Sequence, residues 1–193
     1  MTFFSLILAC TLEGGIGYNN CIPWNIKEEL LLFKKITSNT NSNKKNAIIM
    51  GKNTWNSLKI KPLKNRINII ITSNPKTINT NDNDIYAFKS FDDGLEFCKK
   101  LSDTKINEIY IIGGKSIYDL CLNNNKYLKM IKDVHLSLIK EKYLCDTYID
   151  LKKITKYFKN YYINDIIFNP QFLYVRYHYN SDYNSDYNSE YNS

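Results

Sequence analysis

Arginine is nearly absent from this chain of 193 residues. Lys and Arg together number 26, and only Arg66 and Arg176 are arginines. Glycine (7) and proline (4) are also scarce, which excludes collagen-like and Pro/Gly low-complexity architectures. The two histidines, His135 and His178, form no ligand cluster, so no metal is expected. The cysteines, Cys10, Cys21, Cys98, Cys121 and Cys145, are odd in number and widely spaced, with no CxxC pair. That excludes a disulfide scaffold and a zinc ribbon, and favours a reducing, cytoplasmic setting. No apolar run approaches about 18 residues, so neither a membrane-spanning helix nor a membrane partner is expected.

What is present suffices for a folded domain: 44% hydrophobic and 14% aromatic residues exclude wholesale disorder. The formal charge is +7. Such an excess suits a nucleotide phosphate, an acidic small molecule or nucleic acid. Its basis is lysine amid abundant Asn, Ile and Tyr, the imprint of an AT-rich coding sequence. Nucleic acid is therefore not the expected partner.

The apolar stretch Phe3 to Cys10 is not preceded by a basic segment and is short for an export signal, so it reads as a buried first strand over 3–11. Residues 12–24, with Gly14, Gly15, Gly17, Asn19, Asn20 and Pro23, read as a loop. A helix is expected over 26–37, with Leu30, Phe33 and Ile36 on one face, followed by a polar surface connection over 38–46. Strands are expected at 47–51, 66–73, 85–88, 106–112 and, half-buried, 132–140. Helices are expected near 53–58, 91–100 and from Gly114 to Cys121, with 123–131 a polar linker. Segments 157–168 and 171–179 read as a hairpin turning at Asn169-Pro170. This alternation predicts an α/β fold: a mostly parallel sheet covered by helices, with an antiparallel edge. The domain is placed at 1–179. The tail over 180–193, a Tyr-Asn-Ser-(Asp/Glu) repeat, reads as disordered.

Several residues could carry chemistry. Glu28 and Glu29 open the helix after Pro23-Trp24. Both could simply favour the helix dipole. Glu29 also shares a face with Phe33, where burial would raise its pKa into a range suited to proton delivery. Gly113-Gly114 closes a strand and opens a helix, leaving backbone N–H groups suited to phosphate, or merely making a tight turn. The following Lys115-Ser116 is no P-loop, because Ile109 stands where that motif needs its first glycine. Lys52 and Thr54, after Met50-Gly51, could dock a phosphate, or Asn53 could cap a helix beside a surface lysine. Arg66 offers the planar fork that holds a carboxylate bidentately.

Taken in order, these segments resemble the dihydrofolate reductase family. The pieces are Ile16-Gly17 with Ile22-Pro23-Trp24; Glu29 with Phe33-Lys34 and Thr37; and Ile48 to Trp55 with Ser57. They continue with Pro62-Leu63 and Arg66 to Ile69; Ile111 to Gly114 with Ile117-Tyr118; and Asp146-Thr147. The resemblance implies a central mixed sheet of about eight strands flanked by helices. It also implies NADPH-dependent reduction of 7,8-dihydrofolate to tetrahydrofolate, supporting one-carbon metabolism and thymidylate synthesis, by hydride transfer to C6 and water-assisted protonation of N5.

By the same resemblance Glu29 is the active-site carboxylate, braced by the Ser137 hydroxyl, with Trp24 closing a mobile loop and Tyr118 near the reacting rings. Substrate would meet Ile7, Ala9, Leu30, Phe33, Leu58, Leu63 and Ile112, and its glutamate carboxylate would meet Arg66. NADPH would meet Ala9, Ile16, Gly17, Gly51, Lys52, Asn53, Thr54, Thr72, Ser73, Asn74 and Lys89, and then Gly113, Gly114, Lys115, Ser116, Ile117 and Tyr118. The bond between Gly113 and Gly114 would be cis. Asn53 and Ser116 depart from the basic residues some relatives carry there. A monomer is expected. Some members are fused to thymidylate synthase, so association with that enzyme is a further expectation.

Two other readings compete. A reductase of ribosylated pyrimidines would share the fold but lack the Pro-Trp and helix-acid arrangement present here. A nucleic-acid module would show salt-sensitive binding.

Overall fold

The structure, a computed structural model, describes residues 2–40, 43–157 and 161–179. The tail read as disordered lies outside the described residues.

Among the described residues, ten strands and six α-helices alternate much as the apolar periodicity predicts. They are β1 (Phe4–Thr11), β2 (Gly15–Gly17), α1 (Lys27–Ser38), β3 (Lys45–Gly51), α2 (Lys52–Ser57), β4 (Arg66–Ile71), β5 (Ile85–Phe88) and α3 (Phe91–Leu101). There follow β6 (Ile106–Ile111), α4 (Lys115–Asn123), α5 (Asn125–Leu128), β7 (Ile131–Ile139), β8 (Thr147–Tyr148), α6 (Leu151–Tyr157), β9 (Tyr161–Phe168) and β10 (Phe172–Tyr179). Eight strands form one sheet in the order β5-β4-β3-β6-β1-β7-β10-β9. Its first six strands run parallel, and β10 and β9 add the antiparallel edge.

The central strands read as continuous apolar runs because both their faces are covered. Leu6, Ile48, Ile49, Met50, Ile69, Ile70 and Ile111 are fully buried. Helix α3 sets Phe91, Leu95 and Cys98 against this sheet, and Ser90 caps it by accepting from Asp93 N. Because β1, β3, β4, β5 and β6 run parallel, their carboxyl ends lie along one edge of the sheet, where open α/β sheets place ligands.

Four local readings change. The 12–24 loop contains β2, which pairs with β8, and Asn19-Asn20 turns with both φ positive beneath the Tyr18–Cys21 bridge. Residues 123–131 hold α5, capped by Asn124, with Tyr127, Met130 and Ile131 buried. Asn46, in the stretch read as a polar surface connection, is fully buried and donates to the carbonyls of Thr37 and Asn39. Strand β7 is not half-buried. It lies inside the sheet, and its polar residues Asp133, His135 and Ser137 are as buried as its apolar ones.

Each of these polar residues has a partner, as burial demands. Asp133 accepts from Arg176 Nε and Nη2 (both 3.2 Å) and lies 2.6 Å from His178 Nδ1. Burial opposes its charge, but these neighbours outweigh burial and hold its pKa below the usual value. His135 Nδ1 lies 2.7 Å from the Tyr174 hydroxyl, and burial pushes its pKa down to about 4. An unfolded chain binds the His135 proton below about pH 6.5, whereas the fold refuses it until about pH 4, so stability falls as pH drops through that window. The gap corresponds to about 3 kcal/mol. Urea titrations at pH 7, 6, 5 and 4 should show this slope, and His135→Phe should flatten it. An unchanged slope would remove His135 as its source.

Candidate active site

Helix α1 places Glu29 against the sheet. Its inward line is Glu29 and Thr37, buried, with Phe33 and Ile36 partly buried between them, while Leu30, expected on that face, is 47% exposed. Beneath Glu29, β1 and β7 bring Ala9 opposite Ser137. Glu29 is 8% exposed. Burial raises its pKa above the ordinary value, and a hydrogen bond with the Ser137 side chain holds it partly down. Trp24 packs nearby with Ile26, Ile139, Phe172 and Tyr174, and Ala9 lies against that cluster. The buried Trp24 Nε1–H has no acceptor among the described residues. An orphaned buried indole donor is a ready place for an ordered water.

The apolar wall is built from Phe33, Leu58, Leu63 and Ile112, partly buried against Ile7, Ile48, Met50 and Trp55. Asn68 fixes Leu63 from both sides: it accepts from Leu63 N (3.0 Å) and donates to Leu63 O (3.1 Å). Beyond that wall stands Arg66, 5% exposed, with its guanidinium 5.9 Å from the Phe33 ring centroid. Its Nη1 donates to the Thr37 hydroxyl (2.7 Å) and its Nε to Lys64 O (3.1 Å). Nη2 has no hydrogen-bond partner among the described residues, so the fork is anchored on one side. Thr37 and Asn68 are the positioning residues that sequence reasoning quoted without assigning a role. Asn68 showed itself as a polar residue between Ile67 and Ile69, whereas Thr37, beside Ser38 and Asn39, gave no such signal.

The residues expected to hold the cofactor fall along the carboxyl edge of the parallel strands. Ile16 and Gly17 follow β1; Lys52, Asn53 and Thr54 follow β3; Thr72, Ser73 and Asn74 follow β4; Lys89 follows β5; Gly113 to Ile117 follow β6. The Gly113-Gly114 peptide is cis, and Gly51 N donates to Gly113 O (2.8 Å), tying the β3 and β6 ends together. A Cβ on Gly114 would stand 3.1 Å from the Thr54 hydroxyl, and one on Gly51 3.8 Å from Gly114 N. The backbone there lies bare, and neither α2 nor α4 has a side-chain cap for its first N–H groups. Lys52 donates to the Thr77 hydroxyl (3.1 Å), and Lys115 pairs with Asp119 (2.8 Å). Tyr118, buried behind the seam, donates to Ile7 O (2.7 Å). Bare amides with Lys and hydroxyl side chains fit a phosphorylated dinucleotide.

The loop carrying Ile16 and Gly17 is pinned from behind by the 145–149 segment. Asp146 N donates to Gly17 O (3.0 Å), Asn19 N to Asp146 Oδ2 (2.7 Å) and Ile149 N to Gly14 O (2.9 Å). A Cβ on Gly15 would reach within 2.5 Å of Cys145 Sγ, so that strand passes close only because the position is glycine.

Sheet order and the placement of polar groups at the strand ends define an open α/β protein with a candidate ligand site along the carboxyl edge of its parallel strands. The family model for dihydrofolate reductase matches residues 3–177. The chain is 40% identical over 147 residues to the bifunctional dihydrofolate reductase-thymidylate synthase of Paramecium tetraurelia, covering 76% of this chain and 28% of that one. It is 40% identical over 144 residues to the dihydrofolate reductase of Ureaplasma parvum (75% of this chain, 80% of that one). Against that of Pneumocystis carinii it is 34% identical over 163 residues (77% and 74%). The chain belongs to the dihydrofolate reductase family, and its reaction class is that family's.

Proposed function

We propose that this chain, with residues 1–179 as its reductase domain, reduces 7,8-dihydrofolate to tetrahydrofolate with NADPH, in a cytoplasmic setting. The observation that carries this reading is Glu29: a carboxyl buried on the sheet, braced by Ser137, with its pKa raised, at the head of an apolar wall. When bound, NADPH supplies the hydride that the pterin C6 receives. Gly51, Lys52 to Thr54, Thr72 to Asn74, Lys89 and the Gly113-to-Ile117 turn would hold it, with Ala9 and Ile16-Gly17 along the side of β1.

Glu29 would hold the pterin's 2-amino group and ring nitrogen, and its raised pKa would keep a proton on it to higher pH than on an ordinary carboxyl. The Trp24 indole N–H would orient the water that carries this proton to N5. Ile7, Ala9, Leu30, Phe33, Leu58, Leu63 and Ile112 would hold the ring and exclude bulk water. Arg66, anchored through Nε and Nη1, would present Nη2 to the substrate's glutamate carboxylate. Partnership with thymidylate synthase is proposed only by analogy with the bifunctional Paramecium relative.

The direct test is loss of NADPH absorbance that depends on dihydrofolate. A well-folded sample with no turnover would sink the reading. Arg66→Lys tests the carboxylate grip. Lysine lacks the fork, so KM for dihydrofolate should rise about tenfold or more, with kcat nearly unchanged. A fall in kcat at constant KM would put Arg66 elsewhere in the mechanism.

A further inference from the structure

A second cavity, of about 560 Å³, opens between α1 and the β6-β7-β10-β9 half of the sheet. Neither Glu29 nor any residue assigned above to substrate or cofactor lines it. Leu32 and Ile36 of α1 form one wall, and Ile167 of β9 closes a side. The wall on the sheet side is made of rings: Tyr110 and His135 with centroids 5.9 Å apart, then His135 and Tyr174 stacked at 6.1 Å and 22°.

Two polar atoms on this wall stand unused. The Tyr110 hydroxyl has no hydrogen-bond partner among the described residues, although the residue is 8% exposed. His135 engages only Nδ1, with the Tyr174 hydroxyl, and Nε2 has no partner among the described residues. Burial keeps the imidazole neutral and pushes the Tyr110 hydroxyl up to about 12, so both remain uncharged donor-acceptors near pH 7.

The lining charges cancel. Lys132 pairs with Glu108 (3.0 Å), and Arg176 lies between Asp133 (3.2 Å) and Asp165 (3.6 Å). Lys35 at the rim brings the cations level with the anions. No net charge is left to select an ion, while flat walls and two unused hydrogen-bonding atoms select shape and polarity.

We propose that this cavity is a second small-molecule site, separate from the reductase cleft, that takes a flat, neutral heteroaromatic ring carrying one donor and one acceptor. The ring lies between Leu32 and Ile36 on one side and the Tyr110-His135-Tyr174 wall on the other. Its polar edge meets the Tyr110 hydroxyl and His135 Nε2. The inference does not depend on the proposed reaction.

The test uses the full chain and 5-fluorobenzimidazole, a neutral ring with one N–H and one bare nitrogen, followed by fluorine and methyl NMR. Saturable binding should shift the methyl signals of Leu32, Ile36 and Ile167. Tyr110→Phe removes a hydroxyl that no described residue uses, so the fold should survive and affinity should fall at least fivefold. Leu32→Trp, which fills the cavity, should abolish binding. Benzoate and benzylamine, of similar size but charged, should bind at least fivefold more weakly. Absence of saturable shifts, shifts confined to Phe33, Leu58 and Leu63, equal affinity in Tyr110→Phe, or tighter binding of either charged ring would each overturn the proposal.

Discussion

Glu29→Gln is expected to lower dihydrofolate-dependent turnover roughly a hundredfold or more at pH 7, the scale of a lost acid-base group, and at the same time to make the protein more stable. The two effects share one cause. Burial raises the Glu29 pKa above its unfolded value. A carboxyl shifted in that direction favours the fold fully below its unfolded pKa, and this benefit is lost as pH rises through its folded pKa. Ionising the buried carboxyl therefore opposes folding as pH rises, and a neutral amide of the same shape removes the opposition. For a chain of this size each 1 kcal/mol gained moves Tm by about 2–4 °C. Below about pH 4 the two proteins should converge in stability. Ser137→Ala gives the complementary result: it removes the hydrogen bond that holds the carboxyl down, so the alkaline fall in kcat should move to higher pH. Unchanged turnover in Glu29→Gln would take Glu29 out of the mechanism, and an unchanged pH profile in Ser137→Ala would remove the brace.

Such an acid is hard to find from spacing alone, and the reason is general to this fold. Apolar runs such as Leu6 to Cys10 or Ala47 to Met50 announce their strands because burial on both faces leaves nothing polar in them. Strand β7 gives a false signal. Its alternation of Val134, Leu136 and Leu138 with Asp133, His135 and Ser137 looks like one wet face. Each polar residue is instead matched by a group far away in the chain: Arg176, Tyr174 and Glu29 respectively. Those pairings exist only once β10 and α1 have docked. The β2-β8 ladder is similar, joining segments of three and two residues more than a hundred positions apart. Helix α1 was legible as a helix, and spacing put Glu29 on the face of Phe33 with the helix dipole as the competing reading; the structure buries Glu29 there and leaves Leu30, expected inward, 47% exposed. That departure from the apolar pattern coincides with the proposed chemistry.

The other large effect is expected at Gly113. Its φ of +93° is a conformation that L side chains rarely adopt, and a Cβ there would sit 2.5 Å from Tyr118 Cε2 and 2.8 Å from Cζ. The Tyr118 ring cannot simply retreat, because it is buried and its hydroxyl donates to Ile7 O at 2.7 Å. Moving it strands a buried hydroxyl, at about 1–3 kcal/mol, and the left-handed backbone adds roughly 1–2 kcal/mol for alanine. Gly113→Ala should thus lose about 2–5 kcal/mol of a stability that for such domains is only about 5–15 kcal/mol. It should also weaken NADPH binding, because Gly113 O receives the Gly51 N–H that joins the two strand ends. The clash can be separated from the backbone cost by a double-mutant cycle with Tyr118→Ala. If the ring is the obstacle, the double variant should be more stable than the sum of the two single losses implies, by more than about 1 kcal/mol. Strict additivity would assign the whole loss to the backbone, and a Gly113→Ala protein with unchanged Tm and NADPH affinity would show that this turn does not constrain the seam at all.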